Sequence, residues 1–114
     1  MTDQELLEYA AKVVGLTNPR YVENTSWGTG ISHGEGDQVY VVWNPLLSDA
    51  DAFRLAVKLT LSVFPPDDGD PAAVVEDWRW DIHVTEVDED GDYLATTRRA
   101  IVRAAAEIGR NMSE

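Results

Sequence analysis

Apolar residues recur at helical spacing in three separate stretches of this chain, and short β-branched or aromatic runs fill the gaps between them. That change of period, from three-to-four to two and back, admits a mixed helix–sheet domain and little else. The first stretch opens with Thr2 and Glu5, spaced to form a capping box. Leu6, Leu7, Ala10, Val13 and Val14 then share a face, and Gly15 supplies the left-handed residue that ends a helix, with Leu16 beyond it and Asn18-Pro19 closing off any extension. In the second, Ser48 is the predicted N-cap, Asp51 sits at the positive helix end, and Ala52, Phe53, Ala56, Val57, Leu59 and Thr60 carry the period. The third runs from about Tyr93 to about Gly109, capped by Asp92, with Leu94, Ile101, Ala104, Ala105, Ile108 and Met112 as its buried stripe.

The gaps read as strands and turns. Residues 21–27 form a weak strand, and 28–36, with four glycines in nine positions, a loop. Val39 to Trp43 is an unbroken apolar run, as expected of a strand covered on both faces. Leu61 to Phe64 is a strand stopped by Pro65-Pro66, and 67–73 is an acidic loop. Trp78, Trp80, Ile82 and Val84 alternate with Arg79, Asp81, His83 and Thr85, which predicts a half-covered strand with both tryptophans in the core. The expected order is α-(β)-β-α-β-β-α in a single domain, residues 1–114, with helices packed on a sheet.

Two segments, Trp43 to Leu59 (WNPLLSDADAFRLAVKL) and Thr97 to Met112 (TRRAIVRAAAEIGRNM), resemble the small tailed-phage and prophage proteins of the phage ABA sandwich domain family. The resemblance implies an α/β (α+β) helix–sheet–helix sandwich and a phage or prophage origin. It carries no catalytic residues.

Charge narrows the partners. The chain has 21 acids against 9 bases, a net charge of −12. DNA and anionic membranes bind through cations that this chain lacks, so neither is an expected partner. The charge is uneven: from Asp67 to Asp92 eleven acids face Arg79 alone, whereas Tyr93 to Arg110 holds four arginines and Glu107. Neutralisation of the acidic loops by the arginine helix is the simplest reading. Joint binding of a ligand by the two patches is the alternative. An apolar content of 44% sets the chain apart from acidic disordered sequences. The absence of cysteine excludes disulfides and thiolate zinc sites. With no membrane-spanning run and no signal-peptide pattern at the start, a location in the bacterial cytoplasm is expected.

No arrangement of residues satisfies a catalytic or cofactor motif. His33, Glu35 and Asp37 lie close enough for a bent loop to offer them to a metal, but the expected state is an exposed polar turn. The glycines at 28, 30, 34 and 36 lack the lysine of a phosphate loop and the spacing of a dinucleotide fingerprint. Asp88, Asp90 and Asp92 fail the calcium-loop pattern, which would need glycine at Tyr93 and glutamate at Arg99. His83 beside Asp81 would need a nucleophile placed by the fold. Trp27, next to the glycines, reads first as a core residue and, where exposed, as the candidate binding anchor.

The expected function is therefore a non-enzymatic phage accessory protein without cofactor or metal, binding a host macromolecule that presents a basic face. Its candidate residues are Trp27, His33, Glu35, Asp37, Asp67, Asp68, Asp70, Asp88, Glu89 and Asp90. One alternative is an oligomer that encloses a nucleotide-like ligand between the glycines and Arg99, Arg103 and Arg110, a trio sharing one helix face. Another is a phage assembly or structural component, working as a homo-oligomer.

Overall fold

The computed structural model describes residues 1–34, 41–88 and 90–112, with no account of the Val41 side chain. Among these described residues it is an α+β fold of three helices and two three-stranded antiparallel sheets. In chain order these are α1 (Asp3–Val14), β1 (Arg20–Thr25), β2 (Gly28–His33), β3 (Val41–Trp43), α2 (Asp49–Leu59), β4 (Ser62–Phe64), β5 (Ala72–Asp77), β6 (Ile82–Val87) and α3 (Tyr93–Met112). The strands divide into β1-β2-β3 and β4-β5-β6, so that β3 and β4 are sheet edges, rather than joining in one sheet.

The helix ends follow the local chemistry read from the sequence. Thr2 Oγ1 accepts from the Glu5 amide at 3.1 Å, and Glu5 Oε1 accepts from the Thr2 amide at 3.1 Å. Gly15 closes α1 with φ 69°. Ser48 Oγ caps α2 by accepting from the Asp51 amide, and Asp92 Oδ1 accepts from Ala95 at the start of α3. Asn44, almost fully buried, fixes the turn into α2: its side chain donates to the Thr29 carbonyl at 2.8 Å and accepts from the Leu46 amide at 3.0 Å.

Helix α3 is the hub. It packs against α1, α2 and all three strands of the second sheet, while α1 also covers β1 and β2. Ala100, Ile101, Val102, Ala104, Ala105, Ala106 and Ile108 are all buried, more of the circumference than one stripe provides. The small side chains permit close approach, and Gly109 is the tightest point: a Cβ there would collide with the Tyr9 carbonyl of α1 and lie 2.9 Å from Val13 Cγ2. Leu6, Leu7, Ile31, Leu55, Val75 and Val84 complete the core. Two residues assigned to the α3 stripe, Leu94 and Met112, are exposed instead, as are Phe53 and Val57 of α2.

Three strand expectations change. Residues 28–33 are strand, not loop, because Gly28 (φ 108°) completes the β1–β2 turn and Gly30 (φ 149°) lets β3 come close, a Cβ there meeting the Trp43 carbonyl at 2.5 Å. β3 is an edge strand in which Val42 and Trp43 are half-buried rather than covered on both faces, and Val39 and Tyr40 of the expected run lie outside the described residues. The expected strand through Trp78 to Thr85 begins only at Ile82, because Trp78–Asp81 is a turn that pairs Asp77 with Ile82 and leads from β5, an unexpected strand that starts inside the expected 67–73 loop. Asp77 Oδ1 accepts from the Arg79 amide at 2.9 Å, and Asp81 takes φ 54°, which reverses the chain. Both tryptophans therefore leave the core: Trp78 is 88% exposed and Trp80 42%.

Candidate functional site

The two acidic loops meet at one end of the second sheet. β5 begins where β6 ends, with Ala72 opposite Val87, so the loop before β5 and the loop after β6 emerge side by side. The Asp88 amide donates to the Pro71 carbonyl at 2.9 Å, and the Tyr93 hydroxyl donates to the Asp67 carbonyl at 3.1 Å. The tyrosine hydroxyl is pushed above its ordinary pKa, first by burial and then by the charges of Asp68, Asp88 and Asp67.

Several of these carboxylates also build the loops. Asp88 Oδ1 accepts from the amides of Asp90, Gly91 and Asp92 at 2.9–3.1 Å. Asp67 Oδ1 accepts from Gly69 and Asp70, and Asp70 Oδ1 from Ala72. These are side-chain-to-backbone turns characteristic of aspartate, and they fold both loops with the negative charge on the surface. Glu89 lies outside the described residues.

An apolar groove of about 640 Å³ opens beside this acidic end, between α2, β4 and the first half of α3. Ala52, Phe53, Ala56 and Val57 form one wall, Leu61 and Val63 the floor, and Leu94, Thr97 and Ile101 the other wall. Arg98 ties the two helices together, its Nη1 2.6 Å from Asp49 Oδ1 and its Nε donating to the Leu46 carbonyl at 2.8 Å. Phe53, Val57 and Leu94 are each more than 60% exposed. Both sides of the groove lead into the acidic loops: β4 continues through Pro65-Pro66 to Asp67, and Leu94 follows Tyr93.

The groove was not anticipated from the sequence. Its signal is the breadth of the apolar arc on α2, where positions 52, 53, 55, 56, 57 and 59 are all apolar, more than one buried face requires.

The arginine face is engaged within the chain. Glu86 lies 3.3 Å from Arg99 Nε and also accepts from Arg103 Nη1. Arg99 reaches Asp3 at 3.0 Å, and Arg103 donates to the Thr85 carbonyl at 3.1 Å. Arg110 lines a shallow pocket of about 320 Å³ with Glu107 and this cluster.

The remaining candidates are scattered. Trp27 is 65% exposed at the β1–β2 turn, in the first sheet. His33, half-buried, ends β2 in that sheet, while His83 stands on β6 in the other. Glu35 and Asp37 lie outside the described residues. The partner of His83 is not Asp81, which the turn carries away, but Glu76 across the β5–β6 pair, with Nδ1 2.9 Å from Oε1. Among the described residues, no group of three histidines or acids is placed to hold a metal, and no helix is long and apolar enough to cross a membrane. No protein family, curated protein or solved structure matches the chain.

Proposed function

We propose that this chain is a non-enzymatic binding protein, of the phage or prophage accessory type that its two family-like segments suggest, and that it engages a host protein with a basic face. The observation that carries this reading is the meeting of the 67–70 loop with Asp88 and Tyr93, next to an exposed apolar groove. Negative charge at close quarters accelerates encounter with a cationic partner, and an adjoining apolar surface supplies the affinity that charge alone does not.

The nucleotide-like alternative draws less support, because Arg99 and Arg103 already face Glu86 and Asp3. The test is affinity capture from bacterial lysate at low and high salt, comparing the native chain with a variant carrying Asp67→Asn, Asp68→Asn, Asp88→Asn and Asp90→Asn. Asparagine keeps the turn-forming oxygen and removes the charge. The expected result is a basic protein held at low salt, released at high salt and not captured by the variant. Equal capture by both forms would refute the electrostatic reading.

A further inference from the structure

Resting on that reading, we infer that the groove between α2 and α3 is the docking site for an amphipathic helix of the partner, with the cationic part of that helix over the Asp67, Asp68 and Asp88 end. Three observations support this occupant. Phe53, Val57 and Leu94 are large, mostly exposed and gathered around one concavity, an arrangement that isolated surface apolar residues do not produce. The concavity has the shape of a helix seat: two helices wall it, and α2, at about 16 Å for its 11 residues, matches about three turns of a docked helix. Charge then selects among possible helices. Tyr93, adjacent to Leu94, donates to the Asp67 carbonyl, and the Asp88 amide ties its loop to Pro71, so a helix lying along the apolar floor brings its end residues to the two acidic loops. Lysine or arginine is favoured there and glutamate is repelled. A second copy of the chain is a poor occupant, since it brings its own net charge of −12 to the same face.

The mode is helix-in-groove recognition, in which apolar anchors at i, i+3 or i+4, and i+7 provide the grip. It makes separate demands on anchors and charge. Phe53 and Leu94 are exposed and make no capping contact, so Phe53→Ser and Leu94→Ser spare the fold while removing the walls.

The probe is a synthetic amphipathic peptide of about 18 residues, long enough to become helical on binding, with a leucine and phenylalanine stripe and a lysine-rich polar face. A second peptide has glutamate at each lysine. Binding is followed by amide chemical shifts of the chain and by titration. The expected result is that the lysine peptide binds and shifts residues of α2 and the start of α3. Phe53→Ser with Leu94→Ser should weaken it at least tenfold, and the glutamate peptide should bind at least tenfold more weakly.

Lysine-peptide binding confined to the acidic loops and unaffected by Phe53→Ser and Leu94→Ser would overturn the groove assignment while leaving the proposed function standing. Equal binding of both peptides would overturn the role of charge. Groove shifts that depend on protein concentration, without peptide binding, would make this face a self-interface and overturn the inference. No binding of either peptide would do the same.

Discussion

Arg79 holds the carboxylate of Asp77 with two side-chain contacts, Nε to Oδ1 at 3.1 Å and Nη2 to Oδ2 at 3.0 Å, while its own amide donates a third hydrogen bond to the same group. Asp77 is 3% exposed, so this clamp satisfies an acid that the β5–β6 hairpin has taken out of water. Arg79 also donates to the Leu59 carbonyl at the end of α2, which anchors the hairpin turn to that helix.

Replacing Asp77 with asparagine should therefore destabilise the fold by about 1–3 kcal/mol, and the loss should depend on pH. Hydrogen bonds from the Arg79 side chain hold the Asp77 carboxyl below its ordinary pKa, against the opposing effect of burial. A depressed folded-state value means that this stabilisation is complete above the ordinary aspartate value of about 3.9 and is lost as the pH falls through the lower folded value. Urea unfolding at about pH 6 and about pH 3 should show the gap between native chain and variant narrowing in acid. A constant gap would contradict the clamp.

Gly109→Ala separates helix propensity from packing. Propensity alone predicts a gain of about 1 kcal/mol for alanine inside a helix. The Tyr9 carbonyl and Val13 leave no room for the methyl, so α1 must move away from α3. The expected net effect is destabilisation, with an overpacking cost of about 1–3 kcal/mol or more. It would be measured as a fall in the urea midpoint.

Trp78→Ser should change stability by less than about 0.5 kcal/mol, the range for surface positions without special contacts. It should also remove a large share of the fluorescence that acrylamide quenches, since Trp78 is 88% exposed and Trp43 half-buried. A large stability loss would return the residue to the core that alternation predicts.

Glu86→Ala removes the carboxylate shared by Arg99 and Arg103. The two arginines, with Arg110 nearby, then form a cationic pocket. Inorganic phosphate should raise the melting temperature of this variant and leave that of the native chain unchanged, because a ligand specific to the folded state stabilises it. A phosphate response in the native chain would revive the anion-binding alternative.

The helix starts were legible because their signals are local: Thr2 with Glu5, Ser48 with Asp51, and Asp92 all act within one turn of themselves, as does Gly15 at the end of α1, whereas α3 runs three residues past its expected end near Gly109. The β5–β6 hairpin was not, because the apolar-polar alternation of Trp78 to Thr85 runs through the turn without a break, although the covered positions switch from odd (Ala73, Val75, Asp77) to even (Ile82, Val84) across it. Trp78 and Trp80 keep step with Ile82 and Val84 whether the strand runs on or folds back. What decides between these is the clamp on Asp77, and Arg79 completes it with a carbonyl twenty residues upstream. Gly30 was misread for a similar reason, since its use is set by Trp43 on another strand. Of the candidate site, the acidic loops were legible as charge and their meeting was not. The groove depends on which side of α2 faces α3, a choice made only when the helices pack.

The central position of α3 governs the order in which the molecule can be made. Of the three helices it leaves the ribosome last, yet α1, α2 and the second sheet all rest on it. Until it emerges, the apolar faces of α1 and β5 lack their main cover, and its contacts with α1 span nearly the whole described chain. Such distant contacts slow folding, so the nascent chain carries exposed apolar surface for most of its synthesis, when its strong negative charge is best placed to keep it from aggregating.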